Sequence, residues 1–408
     1  MKTIETMKSD YAKIIVKKGV NIKKGQCLGI KTSYATYPFA SLIAKEAYKE
    51  GAKFVKIEID DLTLLASRIE EQTDEDLTFI PVYQLEEDAE MIKDEWAYIR
   101  IDNTDERHVL KSVDSSKLAA HSKNLNTFHK DMRKARISSE VTWCVVCAPS
   151  TNWAKQVLGE KGESDDLWRF LAPILHLDQE NPVSALEEHN KKIENRAKAL
   201  NAVALRSLHF KSAITDVTIG LSQYHSFEGG GEDTTKGHPF YPNIPTEEVF
   251  TTPLKYEVNG VITTTKPVSL LDSLVEGVRI ECKDGRVVEA SAEVGNDVLQ
   301  QYLHIDEGAS YIGEIALVDQ RSPIAMANTI FHSILYDENA SCHFALGAGY
   351  PTCLQLPQGM TLKEGGCNES IVHTDFMFGS NDMSVIGTDR EGKEHIIMKN
   401  GEFTHSFE

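Results

Sequence analysis

At 408 residues, with 41% hydrophobic and 26% charged side chains, the chain has the composition of a soluble globular protein and exceeds the size at which one core stops growing, so two domains are expected. Its net charge of −19 argues against a nucleic-acid partner, which needs a basic stripe facing phosphates. No apolar run approaches the roughly 20 residues that span a bilayer; the N-terminal MKTIETMKSDYAKIIVKKGV lacks a signal-peptide core, and the cytoplasm is the default compartment.

The first half alternates short apolar strands with amphipathic helices. QCLGIKTS reads as a strand, Ala35 to Glu50 as a helix ended by Gly51, and KFVKIEID and WAYIRIDN as further strands. A helical region follows around Ser115 to Lys134, then the strand VTWCVVCAP. This rhythm predicts an α/β domain with a mostly parallel sheet. Phosphate-binding glycine signatures are absent, so no nucleotide site follows from it. The pair Cys144 and Cys147 brackets two valines in a β-branched run, which reads as a buried strand rather than a redox motif at a helix start. Seven thinly spread cysteines do not form a disulfide framework.

A charge-laced helix is expected from Ala185 to Leu205, after which the texture changes. LHFKSAITDVTIGLS and VRIECKDGRVVEASAE alternate with period two, and Asp284-Gly285 sits where a hairpin turn belongs. IGEIALVD is another strand. FEGGGEDTTKGHPFYPNIPTEEVFTTP is dense in Gly, Pro and Thr, a turn-rich loop of the kind that is functional or disordered. The boundary is placed near residue 205: an N-terminal α/β domain over 1–205 and an α+β, strand-rich domain over 206–408.

Metal-ligand residue types gather in four segments of this second half: TEEVF (Glu247, Glu248), IGEIALVD (Glu314, Asp319), YDENASCHFALGAGYP (Asp337, Glu338, His343, Tyr350) and NESIVHTDFMFGS (Glu369, His373, Asp375). Glu314 lies inside an apolar strand, where an unpaired carboxylate is costly and a cation is the simplest partner. His373 and Asp375 are two apart, which on a strand points both to one face. Imidazole and carboxylate together suit Zn²⁺, Co²⁺ or Mn²⁺. Each segment also has a plainer reading, as a helix cap, a turn or a salt-bridged strand residue, so residue types alone reach only a possible metal site.

Taken as whole blocks, NIPTEEVFTTP, GEIALVD, FHSILYDENASCHFALGAGYP and VHTDFMFG, in that order, resemble the thermophilic-type metalloaminopeptidases, peptidase family M29. The resemblance is strongest from Gly237 to Gly379. It implies two divalent ions held by Glu248, Glu314, His343, His373 and Asp375, with Glu338 and Tyr350 beside them in catalytic roles. Glu247 is the fallback for Glu248. Which carboxylate bridges the ions stays open, as does whether Glu338 is a ligand or a base. The expected activity is removal of the N-terminal residue from peptides with a free N-terminus, by a homodimer. A dinuclear hydrolase of another amide or ester, and a non-catalytic metal-binding module, are the competing readings. His225 and His238, flanking the glycine-rich loop, read as packing residues.

Overall fold

The computed structural model describes residues 2–102, 109–110, 113–271 and 273–407. The chain divides into two compact units, one formed by Met1–Glu187 with Gly231–Pro245, the other by Glu188–Gly230 with Thr246–Glu408.

In the first unit, four strands, Phe54–Ile59, Cys27–Thr32, Ala97–Asp102 and Trp143–Cys147, lie side by side in that order, and every pairing is parallel. The short segment Asn243–Ile244 adds a fifth parallel strand beside Trp143–Cys147. The α/β expectation is met, and the apolar runs explain why: Leu28, Ile30, Ile99, Ile101, Cys144 and Val146 are all buried, as parallel strands covered by helices require. Asn103, the last residue of WAYIRIDN, lies outside the described residues. The helix Ile4–Ile14 is capped by the Thr3 side chain, which accepts from the Thr6 N–H. It buries Tyr11 against Phe39 and Trp168, with ring centroids 5.5 and 6.0 Å away. All seven cysteines are free, and burial pushes the Cys144 thiol far up.

The second unit is strand-rich, as expected. The hairpins Leu205–Lys211 with Asp216–Leu221 and Arg279–Lys283 with Arg286–Ser291 belong to an eight-stranded antiparallel sheet. Asp284 and Gly285, both at positive φ, make the second turn. The long helix is Pro182–Ala202, not Ala185–Leu205. Ala204 takes φ 51° and Leu205 already begins a strand, because its side chain is wanted in the core.

A smaller antiparallel sheet carries Glu248–Thr251, Ile312–Val318, His343–Gly347 and His373–Met377 in spatial order. One face of it is apolar: Val249, Ile312, Ile315, Leu317, Phe344, Leu346 and Phe376 join a single buried cluster with Leu208, Phe210, Ile219 and Val258 of the larger sheet and Ile193 and Leu200 of the long helix. Phe344 and Phe376 stack at 5.3 Å and 9°. Burying a side chain of this size stabilises by about 1.5–3 kcal/mol, so this face fixes the register of the strands and decides what the other face presents. The glycine-rich loop is not a bare loop: it forms the ladder Glu232–Asp233 with Pro239–Phe240, and Asn243–Ile244 pairs with the parallel sheet.

Candidate metal centre

The face turned away from the apolar cluster carries Glu248, Glu314, His343, His373 and Asp375, one or two from each of the four strands. Cross-strand register leaves room among them. Ala345 lies between Glu314 and Asp375, Ala316 faces His343, and Gly347 faces His373. Small side chains thus occupy the positions where large ones would fill the space between the polar groups.

Glu314 owes its direction to an irregularity. Ile312 pairs with Leu346 but Glu314 pairs with Ala345, a bulge at Gly313. In an unbroken ladder Glu314 would oppose Phe344 and share the apolar face with Ile312. The bulge turns it over, and Gly313 permits this because a Cβ there would lie 2.3 Å from the Gly347 and Ala348 carbonyl oxygens.

The side chains converge into two groups, Glu248 with Glu314 and His343, and Glu314 with His373 and Asp375, each with ligand atoms within 4.8 Å of one another. Glu314 belongs to both. His343 Nε2 is 2.9 Å from Glu248 Oε2, and His373 Nε2 is 3.1 Å from Glu314 Oε2 and 3.5 Å from Asp375 Oδ1. His343 Nδ1 lies 3.2 Å from the Ser341 carbonyl oxygen and His373 Nδ1 2.7 Å from that of Ala348. Those acceptors hold a proton on Nδ1 and leave each Nε2 facing the carboxylates, where it pairs with them when protonated and is oriented to bind a metal once that proton is lost.

The electrostatics show a set of anions with too little positive charge. Burial pushes the Glu314 carboxyl up to about 7, with Asp375 adding repulsion and His373 only partly relieving it. At His343 burial opposes the imidazolium, yet Glu248 outweighs it and the pKa rises to about 10. His373 is likewise driven up against the burial penalty by Asp375 and Glu314. Asp375 is held down against its own burial by His373, whose ring lies 3.5 Å from its buried Oδ1, with no well-formed hydrogen bond there among the described residues. A buried carboxylate oxygen without a well-formed hydrogen bond, paired Nε2 atoms and a mixed nitrogen and oxygen donor set fit divalent cations of the zinc, cobalt or manganese kind.

Glu338 sits in a 3-10 turn leading into the His343 strand. Burial, then repulsion from Asp375 and Glu248, raises its carboxyl well above the ordinary range. Tyr350 packs edge-on against His373 at 5.0 Å and Phe250 at 5.3 Å. Burial and the charge of Glu314 keep its phenol protonated. Thr252 fixes its main chain, accepting from the Tyr350 N–H at 2.8 Å and donating to its carbonyl at 3.0 Å.

The remaining acidic residues of the four segments serve elsewhere. Glu247 turns away from Glu248: its Oε2 is 3.4 Å from His189 Nε2, and burial raises its carboxyl to about 8. Asp319 is gripped by Arg321 through two bonds of 3.0 and 2.7 Å. Asp337 accepts from the Phe331 and Ser333 N–H groups, and Glu369 is exposed. His225 and His238 contact the Ser222 and Asn21 carbonyls, as packing residues do. Sequence reasoning missed Asn339, which is fully buried. Its Oδ1 accepts from the Glu247 N–H at 2.7 Å, and its Nδ2 donates to the Leu335 carbonyl at 2.9 Å and to Glu338 Oε1 at 3.4 Å. It ties the start of the Glu248 strand to the turn bearing Glu338, and its only sequence signal is a position inside the same block.

Comparison with known proteins identifies the family. The family model described as thermophilic metalloprotease (M29) matches residues 5–403. Aminopeptidase AmpS of Bacillus subtilis (strain 168) is 36% identical over 96% of this chain and 97% of its own length. Aminopeptidase 2 of Geobacillus stearothermophilus is 34% identical over 96% of each chain. The solved structure of wild-type AmpT from Thermus thermophilus superposes with a TM-score of 0.91 at 32% identity, covering 98% of this chain and 100% of that one. The chain belongs to the M29 family of thermophilic metalloproteases.

Proposed function

We propose that this protein is a metal-dependent aminopeptidase that removes the N-terminal residue from peptides bearing a free N-terminus, with Glu248, Glu314, His343, His373 and Asp375 holding two divalent ions. The observation that carries the reading is the pair of three-ligand groups meeting at Glu314 on one sheet face. The relatives, aminopeptidases by name, supply the reaction class. Glu314, common to both ligand groups, would serve both ions, and Glu248 rather than Glu247 would be the ligand from its segment. Zinc, cobalt and manganese all suit the donors, and the resemblance implies a homodimer. No helix among the described residues is long and apolar enough to cross a membrane, and the cytoplasm remains the proposed compartment.

Bound there, the ions would supply a water acidified toward neutral pH and polarise the scissile carbonyl. The chain's own groups do the rest. Glu338, buried beside the ligand carboxylates, would in its ionised form accept the proton released as water attacks and return it to the leaving amine. Tyr350, kept protonated by burial and by the anions around it, donates a hydrogen bond to the developing oxyanion. Asn339 holds Glu338 to the sheet. The test is hydrolysis of aminoacyl p-nitroanilides beside N-acetylated controls, before and after prolonged chelation. Free-amine substrates are cleaved, blocked ones are not, and activity is lost on chelation and restored by Co²⁺ or Zn²⁺. Cleavage of the blocked substrates, or indifference to chelator, overturns the reading.

A further inference from the structure

The face that carries the metal-ligating residues does not end at the Glu248 strand. Beyond it lies Glu228, whose N–H and C=O both bond to Phe250, each at 2.9 Å. In such an antiparallel pair the two side chains leave on the same face. The neighbours confirm the parity: Phe227 and Val249 enter the apolar cluster, so Glu228 and Phe250 stand on the opposite face with Glu248. One cross-strand row therefore runs Glu228, Phe250, Ala316, His343.

Strands are about 4.8 Å apart, so Glu228 stands roughly 10 Å from Ala316 along the row. By register Glu248, Glu314 and His343 neighbour Ala316, Phe250 is the position of the row between Ala316 and Glu228, and Tyr350 packs edge-on against its ring. That ring is half-buried, as are Glu228 and Tyr350, while Val249 and Thr251 on the other face are fully buried. Glu228 has no salt bridge among the described residues. Burial, eased only by a hydrogen bond with Ser226, raises its carboxyl above the ordinary range, so a cation arriving there would relieve an existing cost.

We infer that Phe250 and Glu228 form the subsite for the side chain of the substrate's N-terminal residue and select a long side chain ending in a cation, lysine or arginine. An apolar stem laid over the Phe250 ring with its charged head at Glu228 matches the way such side chains divide between apolar and polar surroundings. An acidic side chain would meet like charge, and a short one would leave Glu228 half-desolvated and unpaired. The assignment rests on the aminopeptidase reading.

The test is kcat/KM for lysyl, arginyl, leucyl and glutamyl p-nitroanilides with the zinc-loaded wild type and Glu228→Gln, bound zinc being measured in parallel. The wild type favours lysyl and arginyl over glutamyl substrates at least a hundredfold, and the lysyl-to-leucyl ratio falls tenfold or more in Glu228→Gln. A ratio unchanged within twofold overturns the assignment, including the case in which all rates fall together, which would place Glu228 at the α-ammonium or in the fold. Inhibition of the wild type needs no variant: lysinamide should bind at least tenfold tighter than norleucinamide, which has the stem without the charge, and equal inhibition overturns the proposal. Failure to cleave any free-amine substrate sinks the aminopeptidase reading itself, and this subsite with it. Cleavage without side-chain discrimination sinks only the subsite.

Discussion

Replacing Glu314 by Gln separates an ion-holding carboxylate from a structural one. Glu314 is 3% exposed and sits among Asp375, Glu248 and His373, with its carboxyl raised from the usual 4.5 to about 7. Each tenfold change in a dissociation constant is about 1.4 kcal/mol, so ionising Glu314 in the metal-free fold costs about 3 kcal/mol. Because the folded value exceeds the unfolded one, the cost is absent below about pH 4.5, grows between there and pH 7, and is fully present above. Gln keeps the shape and removes the charge. Metal-free Glu314→Gln is therefore more stable than metal-free wild type at pH 8 by up to about 3 kcal/mol, and the gap closes toward pH 4. In a unit of roughly 200 residues that is about 6–12 °C in Tm. Adding Zn²⁺ reverses the order, since only the wild type regains its full ligand set. Differential scanning calorimetry at pH 4 and pH 8, with chelator and with zinc, reads all four states. A metal-free variant less stable than wild type at pH 8 would make Glu314 a structural partner of His373. Two tightly bound ions in the variant would remove it from the shared position.

Metal affinity should rise with pH, because His343, with its pKa near 10 in the metal-free fold, must lose a proton before Nε2 can bind. Chelator-buffered zinc titrations are expected to show at least a tenfold gain per pH unit from pH 7 to 9, with His373 steepening the slope if it too must shed a proton, and a flat profile would refute it. Glu338→Gln should retain bound metal while kcat falls about 10²–10⁴-fold, the usual contribution of a positioned acid–base group; loss of metal would recast Glu338 as a ligand. Asn339→Ala leaves the buried Glu247 N–H and Leu335 carbonyl without their partner. It should cost about 1–3 kcal/mol in thermal unfolding and weaken metal binding through Glu248, whereas wild-type stability would show that Asn339 is not the tie between the two segments.

Much of the fold was legible because its signals are local. The parallel strands read as unbroken apolar runs, and the Asp284-Gly285 hairpin announced itself in two residues. The end of the long helix was not legible: nothing in ALNAVAL distinguishes a continuing helix from a strand that starts at Leu205, and only packing of Leu205 and Leu208 against the larger sheet decides it. At the site, the period-two spacing of His373 and Asp375 gave their shared face directly. The ligand set as a whole came from block resemblance. The choice between Glu247 and Glu248 depends on which of two adjacent residues faces the apolar cluster, and the burial of Val249 fixes that parity. Asn339 and Glu228 escaped notice because their significance lies in cross-chain bonds to Glu247 and Phe250, 92 and 22 residues away.

The Gly313 bulge shows how closely core and chemistry are joined here. Along Ile312–Val318, residues 312, 315 and 317 enter the apolar cluster, a spacing of three and then two that no regular strand produces. The two extremes of the sheet need no such device, since Glu248 and the His373-Asp375 pair follow simple alternation. Glu314 alone must be carried across from the apolar face, and it is also the carboxylate common to both ligand groups. The irregularity therefore falls where the site requires it, next to the residue on which both groups depend. Without it, a carboxylate would be driven in beside Phe344 at a cost of several kcal/mol, and each group would be left with two ligands. The same glycine that prevents a misfolded core thus completes the site.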